Sequence, residues 1–291
     1  MKKNYFFSIS LLSLAIIFNG CSGTPKEDKK DDASADSSKT KLDTSKNMSY
    51  KIYSLPAPMQ LPTSIRHLSE KFNEEYLHPS DITKPGAADY NKKALILGIF
   101  GVDMGYCSVY DQNQAAMNYM SKMARLSQDL NITGAFDANV ISRLKASGGN
   151  KDSASFILLS SFYKARSFLK TNKREEIGYL IAAGSLIEGL HMTTSIAAKD
   201  KSKEAMELIG MQKTFLESTI TLLNEYAASN EGIKNISDKL TDLKTVYDQV
   251  KVEMEPGDRP NIQKIKSVTI SDEQLASITK KVDGMRKAAL E

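Results

Sequence analysis

The sequence predicts an all-α fold: a single antiparallel multi-helix bundle that follows a lipidated, disordered tether. Three observations predict it. From Asp89 onward the apolar residues recur almost everywhere at helical spacing. β-branched runs with period-two alternation are missing apart from Lys266–Ser271 (KSVTIS), which allows at most one short extended segment, near 266–271. Connections as short as Thr171-Asn172 and Lys199-Asp200 turn successive helices into antiparallel neighbours.

The chain opens with a secretory signal at residues 1–20. Lys2 and Lys3 are its basic start, Phe6–Phe18 is apolar and broken only by serines, and Asn19-Gly20 leads into Cys21. A cysteine directly after a small residue resembles the lipobox of bacterial lipoproteins. That resemblance implies a diacylated Cys21 as the mature N-terminus, anchored to the outer membrane on its periplasmic or outer face. With Cys21 lipidated, Cys107 has no partner for an intramolecular disulfide and reads as a small buried hydrophobe. Residues 21–47 are rich in Lys, Asp, Ser and Thr, and Leu42 is their one large apolar side chain. Such a segment buries too little surface to offset its ordering entropy, so it reads as a tether reaching about 25–30 Å.

The helical domain is expected over 48–291. Pro56, Pro58 and Pro62 force an extended lead-in over 50–62. A short helix is then expected over Ser64–Tyr76, and the core bundle over 89–254, with helices at 89–130, 136–147, 152–171, 173–199, 202–228 and 233–254. Turn chemistry marks the breaks at Asn131–Gly134, Gly148-Gly149-Asn150 and Asn230-Glu231-Gly232. Asp137 and Asp152 suit the starts of the helices they open. A last amphipathic helix closes the chain over 272–289. The formal charge of +4 falls to 37 − 35 = +2 once Lys2 and Lys3 leave with the signal, and the signs are interspersed. This balance carries no nucleic-acid footprint.

The segment Glu175–Ala197 (EEIGYLIAAGSLIEGLHMTTSIA) is the most apolar stretch of the body. Between Glu176 and Glu188 lie eleven uncharged residues, against the about 20 that a bilayer requires. Its apolar residues point in every direction, the mark of a helix buried within a bundle. A metal reading competes with this one. Di-iron bundles use Glu-x-x-His pairs, and the chain has two, Glu75-x-x-His78 and Glu188-x-x-His191. Pro79 takes the chain around His78 out of a helix, and only Glu217 and Glu225 offer themselves to complete a set. No cofactor is therefore expected. Glu188 and Asp103 are then acids in an apolar core, each needing a donor or a proton. Tyr106 and Tyr110 share the Asp103 face, and a tyrosine hydroxyl or a lysine is the expected partner.

Tyr90–Met120 (YNKKALILGIFGVDMGYCSVYDQNQAAMNYM), with LPAPMQLP before it and AAGSLIEGLHM after it, resembles a family of uncharacterised all-helical lipoproteins of Gram-negative envelopes. The resemblance spans about Tyr53–Val250 and rests on Gly98, Gly101, Asp103, Tyr106 and Glu188-Gly189. It implies the fold and the compartment and brings no activity with it.

No P-loop, Gly-x-Gly-x-x-Gly, Cys-x-x-Cys or His-Glu-x-x-His is present, and His67, His78 and His191 are the chain's three histidines. The leading expectation is a non-enzymatic binding or structural and assembly module with an envelope protein partner. The alternatives are a small-ligand binder with a pocket near Asp103 and Glu188, and a metal-binding bundle. Finally, Gly98, Gly101, Gly105 and Ser108 form one small-residue stripe, and Gly178, Ala182, Ser185 and Gly189 form another. Glycine within a helix costs about 0.5–1 kcal/mol, so the two helices are expected to pack stripe to stripe.

Overall fold

The computed structural model describes residues 60–69, 71–79, 90–135, 139–147, 151–256 and 263–290. The expected signal, Cys21, the expected tether and most of the proline-rich lead-in lie outside the described residues. The helices are α1 (Gln60–Leu68), α2 (Tyr90–Val109), α3 (Asn113–Asp129), α4 (Val140–Ala146), α5 (Lys151–Thr171), α6 (Glu175–Asp200), α7 (Lys203–Ala227), α8 (Glu231–Tyr247) and α9 (Asp272–Leu290). An antiparallel hairpin, β1 (Lys251–Pro256) with β2 (Gln263–Thr269), stands between α8 and α9. The fold is the all-α bundle expected.

Local chemistry sets the boundaries. Ser202 caps α7 by accepting from the Ala205 amide, and Asn230 caps α8 by accepting from the Ile233 amide. Lys201 ends α6 in the left-handed region at φ 49°. The single helix expected over 89–130 is two helices. Asp111 takes φ 60°, a conformation that short polar side chains tolerate, and the chain folds back so that α3 lies against α2. The helix expected over 64–76 is shorter and earlier, with Pro62 in its first turn. Asn73 then caps a separate 3₁₀ turn, Glu74–Tyr76.

The extended piece expected near 266–271 is β2, and it has a partner that the pattern hides. Lys251–Pro256 reads as the tail of a helix because Glu and Met favour helices. It pairs instead, Val252 opposite Val268, with a bulge at Glu253/Met254. Val268 docks on α7 so tightly that a Cβ on Gly210 would lie 2.6 Å from its Cγ2. That contact and the ladder override local propensity.

α6 is the centre. It is long and apolar enough to cross a membrane, but 78% of its apolar window is buried inside the protein. Sequence neighbours run antiparallel: Tyr179 of α6 meets Tyr226 of α7, and Ser237 of α8 donates to Asn224 of α7 at 2.7 Å. α2 and α6 run parallel, because the chain reverses between them. Their N-terminal ends meet where the Arg174 guanidinium covers the Tyr90 ring at 5.3 Å.

These two central helices touch backbone to backbone. A Cβ on Gly98 would fall 2.0 Å from the Ile181 carbonyl oxygen, and one on Gly184 would fall 2.0 Å from that of Leu95. Ser185 Oγ donates to the Gly98 carbonyl at 3.2 Å. The pairing of α2 with α6 is as expected, but the α6 face differs. Ser185, a member of the expected stripe, makes the contact together with Ile181 and Gly184, so the contact face is centred about 80° from the stripe read in the sequence. Of that stripe, Gly178 lies against Leu169 of α5 and Gly189 under Leu61 of α1.

Candidate functional site

The close approach at Gly98 and Gly184 has an electrostatic consequence. Glu188 lies one turn beyond Gly184 on the same α6 face, and Asp103 lies just over one turn beyond Gly98 on α2. Packing the glycines therefore brings two carboxyl groups together in the core, both with no exposed surface. The expected neighbourhood of Asp103 and Glu188 exists.

The cation that meets them comes from the far end of the chain. Arg286 of α9 donates from Nε to Glu188 Oε2 at 2.7 Å and from Nη2 to Oε1 at 2.8 Å. This is the bidentate fork that fits guanidinium to carboxylate. Nη2 also makes a long contact of 3.5 Å to the Tyr76 carbonyl. Burial works against the Arg286 charge, but the bonds and charge of Glu188 outweigh it and raise its pKa. The donor that Glu188 needs is thus an arginine, while the tyrosine or lysine expected for Asp103 gives way to the His78 amide. One signal in the sequence bore on the arginine: Arg286 follows Val282 by four residues, on a helix whose core seam is Leu275, Ile278, Val282, Met285 and Ala289.

Asp103 has a different fate. Burial first, and then the Glu188 charge, hold its carboxyl well above the ordinary carboxylate range. Its Oδ1 accepts from the His78 amide at a long 3.5 Å. Oδ2 has no bonded partner at sound geometry, although Glu188 stands close enough for a side-chain hydrogen bond to contribute to the shift. A carboxyl held so high favours its neutral form, and a neutral acid beside one ion pair is a less costly way to bury two carboxyls with one guanidinium.

His78 closes the site from the segment after the 3₁₀ turn. Its Nδ1 lies 3.0 Å from the Pro79 carbonyl, which assigns the proton to Nδ1, and its Nε2 is buried without a partner. Burial lowers its pKa, against an opposing pull from Glu188. Tyr119 donates to the His78 carbonyl at 2.5 Å.

Tyr106 and Tyr110, expected beside Asp103, serve the neighbouring segment. Their rings lie 4.7 Å apart, and Phe72 stacks on Tyr106 at 5.4 Å. The Tyr106 hydroxyl accepts from the Asn73 amide at 3.0 Å, and that of Tyr110 donates to the Ser69 carbonyl at 2.6 Å. They hold the chain that delivers Tyr76 and His78. Cys107 is fully buried, and burial pushes its thiol up to about 12, so it sits in the core as the hydrophobe expected.

The metal alternative, Glu75, His78, Glu188 and His191, does not converge. Glu75 is exposed and faces Lys199 at 3.6 Å, Glu188 is held by Arg286, and His191 Nδ1 meets Asp283 of α9 at 2.8 Å. Glu217, offered to complete the set, faces Lys244 at 4.0 Å. Among the described residues no three His, Cys, Asp or Glu side chains gather as ligands. Chemically, the arrangement ties α2, α6, α9 and the 76–79 segment together around one part-buried cation, with Asp283 and His191 as a second link between α6 and α9. No protein-family model, curated protein or solved structure matches the chain.

Proposed function

We propose that the protein is a non-enzymatic envelope lipoprotein: a helical binding or structural and assembly module held at the outer membrane by lipid on Cys21. One observation carries the non-enzymatic part. The core acid that Arg286 grips, Glu188, has both oxygens bonded by the chain's own guanidinium, so its polar chemistry is spent inside the fold. Support for an interaction role comes from α5. Phe156 is 68% exposed and Tyr163 is 50% exposed, and a spacing of seven places both on one helical face. Aromatic side chains are enriched at partner sites, and these two give that reading its support.

The lipid anchor and the kinship with all-helical envelope lipoproteins belong to the same proposal. They rest on Gly20-Cys21 after the signal and on the Gly98, Gly101, Asp103 and Tyr106 spacing. The test is copurification from membranes of the intact protein against the Phe156→Ser/Tyr163→Ser double variant. A partner that is retained by the first and lost by the second is expected, and equal partner sets would sink the binding reading. Separately, Cys21→Ser should leave a precursor or a form released from the membrane. A processed species that still fractionates with the outer membrane would remove the anchor.

A further inference from the structure

α5 presents a patterned face to solvent. Contacts fix its inner side: Phe168 packs on Gly134, and Leu169 lies against Gly178 of α6. Ile157 on the same side is buried. A helix turns about 100° per residue, so Phe156, Ser160, Tyr163, Ser167 and Lys170 point the opposite way, within an arc of about 80°. Four of these five are exposed and Ser160 is half-buried. Among the described residues, Phe156 and Tyr163 are the two aromatic side chains that stay largely in water.

The five residues follow one another at intervals of four, three, four and three. That is the heptad spacing by which one helix lies along another. Large and small side chains alternate along this seam, Phe, Ser, Tyr, Ser, and the serines leave holes between the aromatic knobs. From Phe156 to Lys170 the seam runs about 21 Å, long enough for three turns or more of a second helix. Its flanks are basic. Lys164 lies beside it, Arg166 stands on the other side with its guanidinium over the Phe162 ring at 5.5 Å, and α5 has no aspartate or glutamate from Ser153 to Thr171.

The charge and the serines choose among occupants. A second copy of α5 would bring basic flanks against basic flanks. A bilayer rewards a broad, continuous apolar face, and serines interrupt this one. An acidic helix with its own apolar seam answers both the knobs and the charge. We infer that this face of α5 seats an amphipathic helix of a partner protein. Large apolar side chains of that helix fill the holes at Ser160 and Ser167, and acids along its edges complement the basic flanks. The inference rests on the binding role proposed above and names the chemistry of the partner.

The test places the photo-crosslinker p-benzoylphenylalanine at Phe156, Ser160, Tyr163 or Ser167, one position at a time, in the full-length protein in its own membranes. Adducts are mapped by peptide mass spectrometry. All four positions should reach one partner segment, with apolar residues at heptad spacing and more acids than bases. The same label at Met211, which is exposed on α7, should not reach that segment. Lys164→Glu/Lys170→Glu should cut the adduct yield about tenfold or more, and Lys164→Arg/Lys170→Arg should keep it. If the glutamate pair unfolds the protein, the sequence of the cross-linked segment decides alone. No adduct, adducts to lipid or to a second copy, a segment that is neither acidic nor helical, or an undiminished yield in a folded glutamate variant would each overturn the inference. A partner lost from the Phe156→Ser/Tyr163→Ser variant but cross-linked through a basic or non-helical segment would leave the binding role standing and remove this inference alone.

Discussion

α6 is held toward two of its neighbours, α2 and α9, by opposite physics. Toward α2 it has shed its side chains: Gly184 and Gly98 let backbone meet backbone, and a single added carbon would collide with a carbonyl at 2.0 Å. Toward α9 it keeps two long polar side chains and closes the gap with the Glu188–Arg286 fork. The first contact is continuous and built from dispersion and burial. The second depends on one charge finding its opposite where the carboxylate is fully buried and the guanidinium keeps only 15% of its side chain exposed. Damage to the first should therefore scale with volume, and damage to the second with charge.

The largest effect should come from breaking the fork. Arg286→Met leaves a buried carboxylate without its cation and should cost about 3–5 kcal/mol, read from the denaturant midpoint. Glu188→Gln should cost a similar amount. The double variant should recover most of the loss, because a buried pair replaced by well-packed groups is often neutral. If each single variant costs under about 1 kcal/mol, the α9 seam is held by its apolar residues, and the contrast with α2 disappears.

Next comes the glycine seam. Gly98→Ala gains about 1 kcal/mol of helix propensity, yet it drives a Cβ into the Ile181 carbonyl. Because the obstacle is backbone rather than a flexible side-chain end, the helices must part, and a net loss of about 1–3 kcal/mol is expected. At this chain length that is a fall in Tm of about 2–10 °C, measurable by circular dichroism. An unchanged Tm would mean that α2 and α6 can slide.

The same contrast governs what the sequence disclosed. The α2–α6 seam was legible because glycine at helical spacing is a local pattern, and the burial of α6 follows from apolar residues on all its faces. The face of contact was not legible, since Ala182 and Gly184 are both small residues and only the close approach of the partner helix singles out the glycine. Arg286 was legible only as a cation beside the core seam of α9 and not as the partner of Glu188, because it lies 98 residues away and nothing local to Glu188 says which cation will meet it. Glu-x-x-His spacing has the same weakness, since it fixes two side chains on a helix face and is silent on whether a metal or a guanidinium answers them. β1 was lost for a related reason. Its residues favour a helix, and the state is set by Val268 resting on Gly210.

A gentler probe separates charge from shape in the acid cluster. The folded protein holds a proton on Asp103 more tightly than the unfolded chain does. The stability from that proton is therefore complete below the unfolded carboxylate value and is lost as pH rises through the folded one. His78 has the opposite sign. Burial lowers its pKa from 6.5, so its contribution is full above the unfolded value and is lost as pH falls through the folded one. Asp103→Asn keeps the shape and a donor toward Glu188 but deletes the first slope. It should match the parent near pH 4 and exceed it increasingly toward pH 7, by about 1–3 kcal/mol. Parallel stability curves for the two proteins from pH 4 to 7 would show that Asp103 is ionised in the fold.

The smallest effect tests whether tightness belongs to the α2 side of α6 alone. Gly178 lies in the interior of α6 without a positive φ, and a Cβ there would meet only Leu169 Cδ1 of α5, at 3.4 Å. That is ordinary van der Waals contact with the end of a flexible side chain, so nothing has to move. Alanine should then bring its helix propensity without a penalty, a gain of about 0.5–1 kcal/mol, or a rise in Tm of about 1–4 °C. The substitution adds the same single carbon as Gly98→Ala, in the same kind of backbone, and should carry the opposite sign. If Gly178→Ala destabilises as much as Gly98→Ala does, α5 grips α6 as closely as α2 does, and the close approach is a property of the whole central helix rather than of one face.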